Sequence, residues 1–458
     1  MIKNNFTQSD VNTAVKRESP PRKKRIRMLV LVVYALGLMV SPDNLSLLGR
    51  FAGHFGIYAP LLLLAGILIY FNYVQSYTEL YAIFPGPAGE ALLFRRALGI
   101  WLVYYPLVVR VLAAVFLTTG LTVSCGFVFN EIFIYWFPNF GFAYILLGLL
   151  SALHLLGPAS RARAQIFFVG IAFLGLTLLI GAGLIKGLPT TAAHIPTDFP
   201  VMLPWFFMPL LVFIGFDMAV SSADYPLWPS NETMKSLKTA IVVFGVFMIL
   251  WTIVTTQYVT GSKLIATSIP HIIAAREISG QLGRIIMGII VIAGACGAVN
   301  ALFETVSRLV VTMSELKLLP CKLHTPQVTV LFVAVAAGIM MAAGLAGDEL
   351  LETYIRATLL LWLGGYGLLQ MCLLQLDAVE SGVKADMRMG FTKVRLLTTA
   401  IISFGGAAIL VLTDARTMLI LKVIMVIVVS TVTLGAIAQR RAKQSSKDKG
   451  GNHAENKY

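Results

Sequence analysis

Charge is what this sequence has least of. Only 13% of its 458 residues are Asp, Glu, Lys or Arg, against the ~25% of an ordinary soluble protein, while 57% are hydrophobic and the mean hydropathy is +0.81. Such a chain belongs in a bilayer and not in water. Cysteine is scarce as well: Cys125, Cys296, Cys321 and Cys372 are widely spaced and sit in or beside apolar stretches, so neither a zinc site nor a disulfide framework is expected. No metal-ligand cluster, phosphate-binding loop or nucleophile elbow can be read anywhere, which makes an enzyme the reading with least support. A small-residue cleavage pattern is missing after the basic cluster Lys16, Arg17, Arg22, Lys23, Lys24, Arg25 and Arg27, so the first apolar run is expected to be retained.

Long apolar runs are what the sequence does have. Runs able to cross ~30 Å of hydrocarbon can be drawn at 28–50, 57–83, 97–120, 138–157, 164–186, 204–224, 239–260, 284–313, 326–346, 349–375, 396–412 and 416–438. The expected architecture is therefore an all-α polytopic membrane protein of about twelve transmembrane helices. A basic tail (1–27) precedes a membrane domain (28–438), and a short polar tail (439–458) follows. If residue 1 is cytoplasmic, 27 of the 36 Lys and Arg fall on the inner side. Six fall outside (Arg50, Lys186, Lys263, Arg276, Arg284, Arg416), and Arg110, Arg356 and Lys422 lie within spans. That asymmetry predicts both termini on the cytoplasmic side of the cell inner membrane. The net charge of +14 is spread over short loops, so nucleic acid is not an expected partner. A small-molecule substrate and the lipid bilayer are; the oligomeric state is left open.

Two spans are interrupted. Span 1 carries Gly37 and then Ser41-Pro42-Asp43-Asn44, and span 6 reads Phe213-Ile214-Gly215-Phe216-Asp217, with Pro204 and Pro209 before it and Asp224-Tyr225-Pro226 after it. Unwound backbone inside a membrane is tolerated only where it is buried in protein or lines a cavity. Breaks at corresponding places in two halves point to a binding site near the midplane.

Four stretches, in order, carry a family likeness. Ala35 to Pro42 resembles the broken first helix of the amino acid–polyamine–organocation permeases, and Ser76-Tyr77-Thr78-Glu79-Leu80 with Phe84-Pro85 and Ala88-Gly89-Glu90 is similar to their second-helix end. Gly215-Phe216-Asp217 resembles their Gly-Phe-Glu. Asn300, Ser307-Arg308, Met313 and Leu318-Leu319-Pro320 are similar to their eighth-helix pattern. The resemblance implies a leucine-transporter-type fold: a 5+5 inverted repeat with broken helices 1 and 6, plus two extra C-terminal helices. It also implies an amino acid or amine permease working by alternating access. Two departures stand out. Ala35 and Leu36 replace the family's first glycine and serine, and no basic residue sits in the middle of span 5, where some proton-coupled relatives carry lysine.

The expected substrate-binding residues are Ala35, Leu36, Gly37, Leu38 and Met39 in span 1 and Phe213, Ile214, Gly215, Phe216 and Asp217 in span 6, with Arg110 from span 3. Half-helix amides would favour an anionic group, and open carbonyls with Asp217 a cation. A charge inside a span costs several kcal/mol and needs a partner or a wet cavity. Asp217 can accept a substrate ammonium, carry a coupling proton, or simply cap a half-helix. Arg110, read as lying near the centre of span 3, suits a carboxylate or sulfonate, or neutralises Asp217, Glu304 or Asp43. Glu304 is the second coupling candidate, unless it pairs with Arg308 four positions on. Asp43 reads as an N-cap, Glu79 as structural, Glu352 and Arg356 as an i, i+4 pair, and His154 as a core histidine. Trp136, Trp205 and Trp228 fall near expected interfaces. No cofactor is expected. The coupling ion, H+ or Na+, stays open, with Thr305 and span 1 carbonyls permissive for sodium. The rival reading is a non-transporting ligand sensor with the same fold.

Overall fold

Proline opens many of this protein's helices. The computed structural model describes residues 21–187, 199–221, 230–319, 325–345, 349–380 and 387–451; Asp224, Trp228 and Cys321 lie outside the described residues, as do most of the basic tail and the last seven residues. The helices are α1 (Pro21–Met39), α2 (Pro42–Phe55), α3 (Ala59–Ile83), α4 (Gly89–Leu98), α5 (Tyr105–Ile132), α6 (Asn139–Leu153), α7 (Pro158–Ile185), α8 (Phe199–Phe206), α9 (Met208–Val212), α10 (Met218–Ser221), α11 (Ser230–Tyr258), α12 (Gly261–Ala266), α13 (Pro270–Glu315), α14 (Pro326–Ala342), α15 (Glu349–Glu380), α16 (Met387–Leu412) and α17 (Thr417–Gly451). Pro42, Pro60, Pro106, Pro158, Pro209, Pro270 and Pro326 each stand in the first turn of a helix. There a missing N–H costs nothing and the fixed φ is already helical.

Among the described residues, eight helical stretches are long and apolar enough to cross a membrane, and Arg27–Met39, Asn139–Leu153 and Pro326–Ala342 are shorter apolar helices. The all-helical expectation holds. One span boundary does not: the apolar run drawn at 97–120 combines the end of amphipathic α4, a 3-10 turn at Ile100–Leu102, and α5, which starts only at Tyr105 and continues to Ile132. Arg110 therefore sits in the second turn of its helix and not near the middle.

Span 1 breaks later than expected. Ala35 to Met39 stay helical, with Val40 N donating to Leu36 O (3.1 Å) and Ser41 N to Leu38 O (3.1 Å), and the interruption falls at Val40–Ser41. The N-cap of α2 is Ser41, extended at φ −70° and ψ 154°, its side chain accepting from Asn44 N at 3.4 Å. Asp43 is a first-turn acid and not the cap, because Pro42 takes the first helical position. In span 6 the helix stops at Val212, turns through residues 213–217 and resumes at Met218. Gly215 makes that turn at φ 101°, a conformation open to few side chains but glycine.

Helix α13, whose backbone kinks out of helical geometry at Ser279–Gly280, runs through the centre of the fold, packing against α7, α5, α1, α14 and α2. It is lined with small residues where it passes the span 1 break. A Cβ on Gly294 would stand 2.3 Å from Val40 O, so only glycine lets the two backbones approach. Cys125, Cys296 and Cys372 are buried and free, as packing residues should be.

Candidate functional site

Both breaks are sealed inside the protein and touch each other. Leu38 is 3% exposed, Ile214 1% and Phe216 0%, and the Cβ of Leu38 lies 2.8 Å from where a Cβ on Gly215 would stand. One side chain ties the two breaks together. Asn44 Nδ2 donates to Met39 O (3.1 Å) and Leu38 O (3.4 Å) at the end of α1, and to Val212 O (3.0 Å) at the end of α9. Carbonyls that lose their helical partners at a break need other donors, and a carboxamide with two N–H bonds serves both ends. Sequence reading placed Asn44 in the break without seeing this role.

Aromatic rings enclose the span 6 turn. Phe213 packs on Tyr70 (centroids 5.1 Å apart), and Phe216 on Tyr77 (5.1 Å) and Tyr366 (5.5 Å). Tyr70 Oη donates to Leu210 O at 2.5 Å, and Gly215 N donates to Tyr366 Oη at 3.4 Å.

Asp217 closes the turn and is fully engaged. Arg110 Nη2 lies 2.5 Å from its Oδ2, Trp362 Nε1 donates to the same oxygen at 3.3 Å, and Tyr366 Oη donates to Oδ1 at 2.7 Å. The same Arg110 nitrogen is 2.7 Å from Glu90 Oε1, which also accepts from Tyr77 Oη. The guanidinium lies over the Trp362 ring, 5.5 Å from its centroid. Of the partners considered for Arg110, Asp217 is one that it takes; Glu304 is held elsewhere. Glu90, Tyr77, Trp362 and Tyr366 complete the cluster and were not singled out as site residues from sequence. In the sequence Glu90 appears only within the second-helix likeness, and its charge inside an amphipathic turn gives no sign of burial.

Glu304 belongs to a second network. Arg161 Nε lies 2.7 Å from Oε2, Arg308 Nε bonds Oε1, and His154 Nδ1 stands 3.9 Å away. His154 Nε2 meets Asn300 Oδ1 (3.0 Å), Asn300 Nδ2 donates to Gln165 Oε1 (2.7 Å), and Gln165 Nε2 donates to Val33 O of α1 (3.1 Å). Both oxygens of Glu304 thus face guanidinium groups, and the network pins α1 to α7 and α13. The expected Arg308 pair is present and joined by Arg161. Thr305 Oγ1 has no hydrogen-bond partner, but it lies three turns along α13 from Gly294, where that helix meets the span 1 break. Glu79 pairs with Arg395 at 2.8 Å, and Glu352 with Arg356 at 3.2 Å. Trp136 is 79% exposed, while Trp205 packs against His54 with tilted rings whose centroids are 4.2 Å apart.

A cavity of about 10 Å³, room for a single water, lies against Tyr77, Glu90, Arg110 and Tyr366. A larger recess of about 370 Å³ between α15, α16 and α17 is lined by side chains such as Leu361, Phe404 and Leu412. It offers nothing polar for a solute to bind except Tyr105, whose hydroxyl already donates to Leu361 O at 2.7 Å.

No protein-family model matches the sequence, and no curated protein matches it. Solved structures do. The crystal structure of the Eremococcus coleocola manganese transporter with an aromatic bis-isothiourea compound superposes with a TM-score of 0.62 at 13% identity, covering 93% of this chain and 97% of that one. A mutant of that transporter gives 0.59 over the same coverage. At that identity the likeness establishes the fold: this chain has the architecture of that transporter along nearly its whole length.

Proposed function

We propose that this chain is a secondary transporter of the leucine-transporter type, with a 5+5 inverted repeat and two extra C-terminal helices. In this reading it moves an amino acid or related small amine-bearing solute across the cytoplasmic membrane by alternating access. One observation carries the proposal above the others: two interrupted helices meet, with Asn44 hydrogen-bonded to the broken ends of both. A helix terminus left open in hydrocarbon costs several kcal/mol per unpaired group, so paired breaks point to use.

The ion pair beside the break supports the substrate class. Manganese, which the structural neighbour carries by name, prefers oxygen ligands and carboxylates above all. The described residues hold no group of three or more His, Cys, Asp or Glu able to bind a metal, and a cation approaching Asp217 would meet Arg110 at 2.5 Å from it. A zwitterion fits better. Its ammonium can take Asp217 and its carboxylate Arg110, exchanging one internal pair for two intermolecular ones with no change in net charge. Leu38 and Gly215 would line that site, with Ala35 and Met39 on the α1 side, while Gly37 packs against Gln165 of α7 and Gly297 and Ala301 of α13.

Twelve spans with both termini cytoplasmic complete the proposal, on the strength of the Lys and Arg distribution. Cysteines introduced at Arg95 and Lys235 should react only from the inside, and at Asn130 and Lys263 only from the outside. Reaction of position 263 from the inside alone would overturn the orientation.

The substrate reading is tested by thermal denaturation of the purified protein with amino acids, amines, sulfonates and Mn2+. A zwitterion at a hundred times its Kd is expected to stabilise by about 2.7 kcal/mol. Stabilisation by Mn2+ with none from any amino acid or amine would move the reading to a cation carrier.

A further inference from the structure

Two buried carboxylates share one guanidinium in this protein. Glu90 and Asp217 both lie on Arg110, and the three side chains are 10%, 0% and 6% exposed. With all three ionised, the cluster would hold one uncompensated negative charge out of water, which is costly. Among the described residues, the elements packed around Glu90 supply no second cation. Arg110 and Tyr105 face it from α5, Tyr77 from α3, Tyr366 from α15 and Asp217 from the span 6 turn, with Tyr81 of α3 acting on Arg110. The turn at Ile100–Leu102 brings no titratable group, and Arg95 and Arg96 on α4 itself are exposed.

The two acids are not equivalent. Both oxygens of Asp217 accept hydrogen bonds, from Arg110 and Trp362 on one and Tyr366 on the other. Glu90 takes its bonds from Arg110 and Tyr77 on Oε1 alone. Its Oε2 accepts none from the described residues, and Glu90 lines the one-water cavity. An extra proton fits on that oxygen and has no equivalent place on Asp217. Burial pushes the Glu90 carboxyl above its ordinary range, against the pull of Arg110 and helped by the charge of Asp217.

We propose that Glu90 is a proton site that latches the inner end of the substrate path. It takes one proton from cytoplasmic water when α4, α5, α15 and the span 6 turn close on one another, and it releases that proton when they part. The latch rests on the transport reading for its meaning, but its chemistry rests on the Arg110 cluster alone. In the parted state Glu90 is hydrated and holds its proton no more tightly than an exposed glutamate does. Its folded, closed-state affinity for the proton is higher, so closure is fully favoured below the parted-state value. That preference is lost as pH rises through the closed-state value. One proton makes the open-to-closed ratio climb by up to tenfold per pH unit in between.

Two measurements test this, and neither needs a substrate. Infrared difference spectra of the whole protein, titrated upward from about pH 6 where exposed glutamates are already ionised, should show a protonated carboxyl band disappearing. The band should shift on 13C-glutamate labelling, stay put on 13C-aspartate labelling, and be missing in Glu90→Gln. Absence of the band, or its shift with the aspartate label, overturns the proton site even if Glu90→Gln does not fold. In cytoplasmic-side-out vesicles, a Val109→Cys thiol in the cavity wall should react with an impermeant methanethiosulfonate up to tenfold faster per pH unit, after correction with an exposed cysteine at position 95. A flat corrected rate in this otherwise unaltered protein overturns the latch. Failure here would leave the transport reading standing, since no step of it is read out.

Discussion

Arg110→Met is expected to cost the folded protein about 3–5 kcal/mol, the usual consequence of removing one partner from a buried ion pair. The guanidinium holds Glu90 at 2.7 Å and Asp217 at 2.5 Å and caps the Trp362 ring. Its loss leaves the Asp217 carboxylate and the Glu90 carboxyl group buried together with only phenol and indole donors. Detergent-solubilised protein should lose its monodisperse gel-filtration peak or melt far earlier than the parent. Combining Arg110→Met with Glu90→Gln and Asp217→Asn should recover much of the stability, because nothing charged is then left unpaired, yet the triple variant should stay inactive. A single Arg110→Met protein as stable as the parent would show that the cluster is hydrated and not the sealed ionic core described above.

Asp217→Asn should separate function from folding. The amide can still accept from Tyr366 Oη, and Glu90, relieved of the Asp217 charge, can ionise as the counter-ion of Arg110, so the fold should survive. Substrate affinity should fall by about 1.5–3 kcal/mol, roughly 10- to 150-fold, because a full charge toward the ammonium is lost. Transport should be abolished or nearly so. Wild-type affinity and uptake in a well-folded Asp217→Asn protein would leave Asp217 as no more than a counter-ion for Arg110.

Much of this was legible in the sequence, for identifiable reasons. Low charge and long apolar runs mark a membrane protein whatever its contacts. Gly215 and Ser41-Pro42 mark helix interruptions because few other residues adopt or force those backbones. Asp217 stood out as a lone acid in an apolar stretch. The misplacements also have causes. Ile100-Trp101-Leu102 is apolar but forms a separate 3-10 turn, so it lengthened span 3 backwards and put Arg110 too deep. Ala35 to Met39 drew attention by likeness to a family's unwound stretch, while the backbone stays helical until Val40 because the proline that ends it comes only at position 42. The partnerships could not be read at all. Arg110 and Asp217 are 107 positions apart and Asn44 and Val212 are 168 apart, and one sequence carries no sign of which distant charges meet. Glu90 was hidden by its setting, an amphipathic helix whose Arg95 and Arg96 face out while Leu93 and Phe94 face in.

The central claim is that the paired helix breaks serve passage across the membrane and not ligand sensing alone. It is tested most directly by counterflow in sealed liposomes containing the purified protein. The vesicles are loaded with excess unlabelled ligand, chosen by its thermal stabilisation of the protein, and diluted into a trace of the labelled compound. Transient accumulation of label that empty liposomes and the Asp217→Asn protein do not show is the result expected. Tight binding of the same ligand with no counterflow at any pH or ion gradient would contradict the claim and make this chain a sensor.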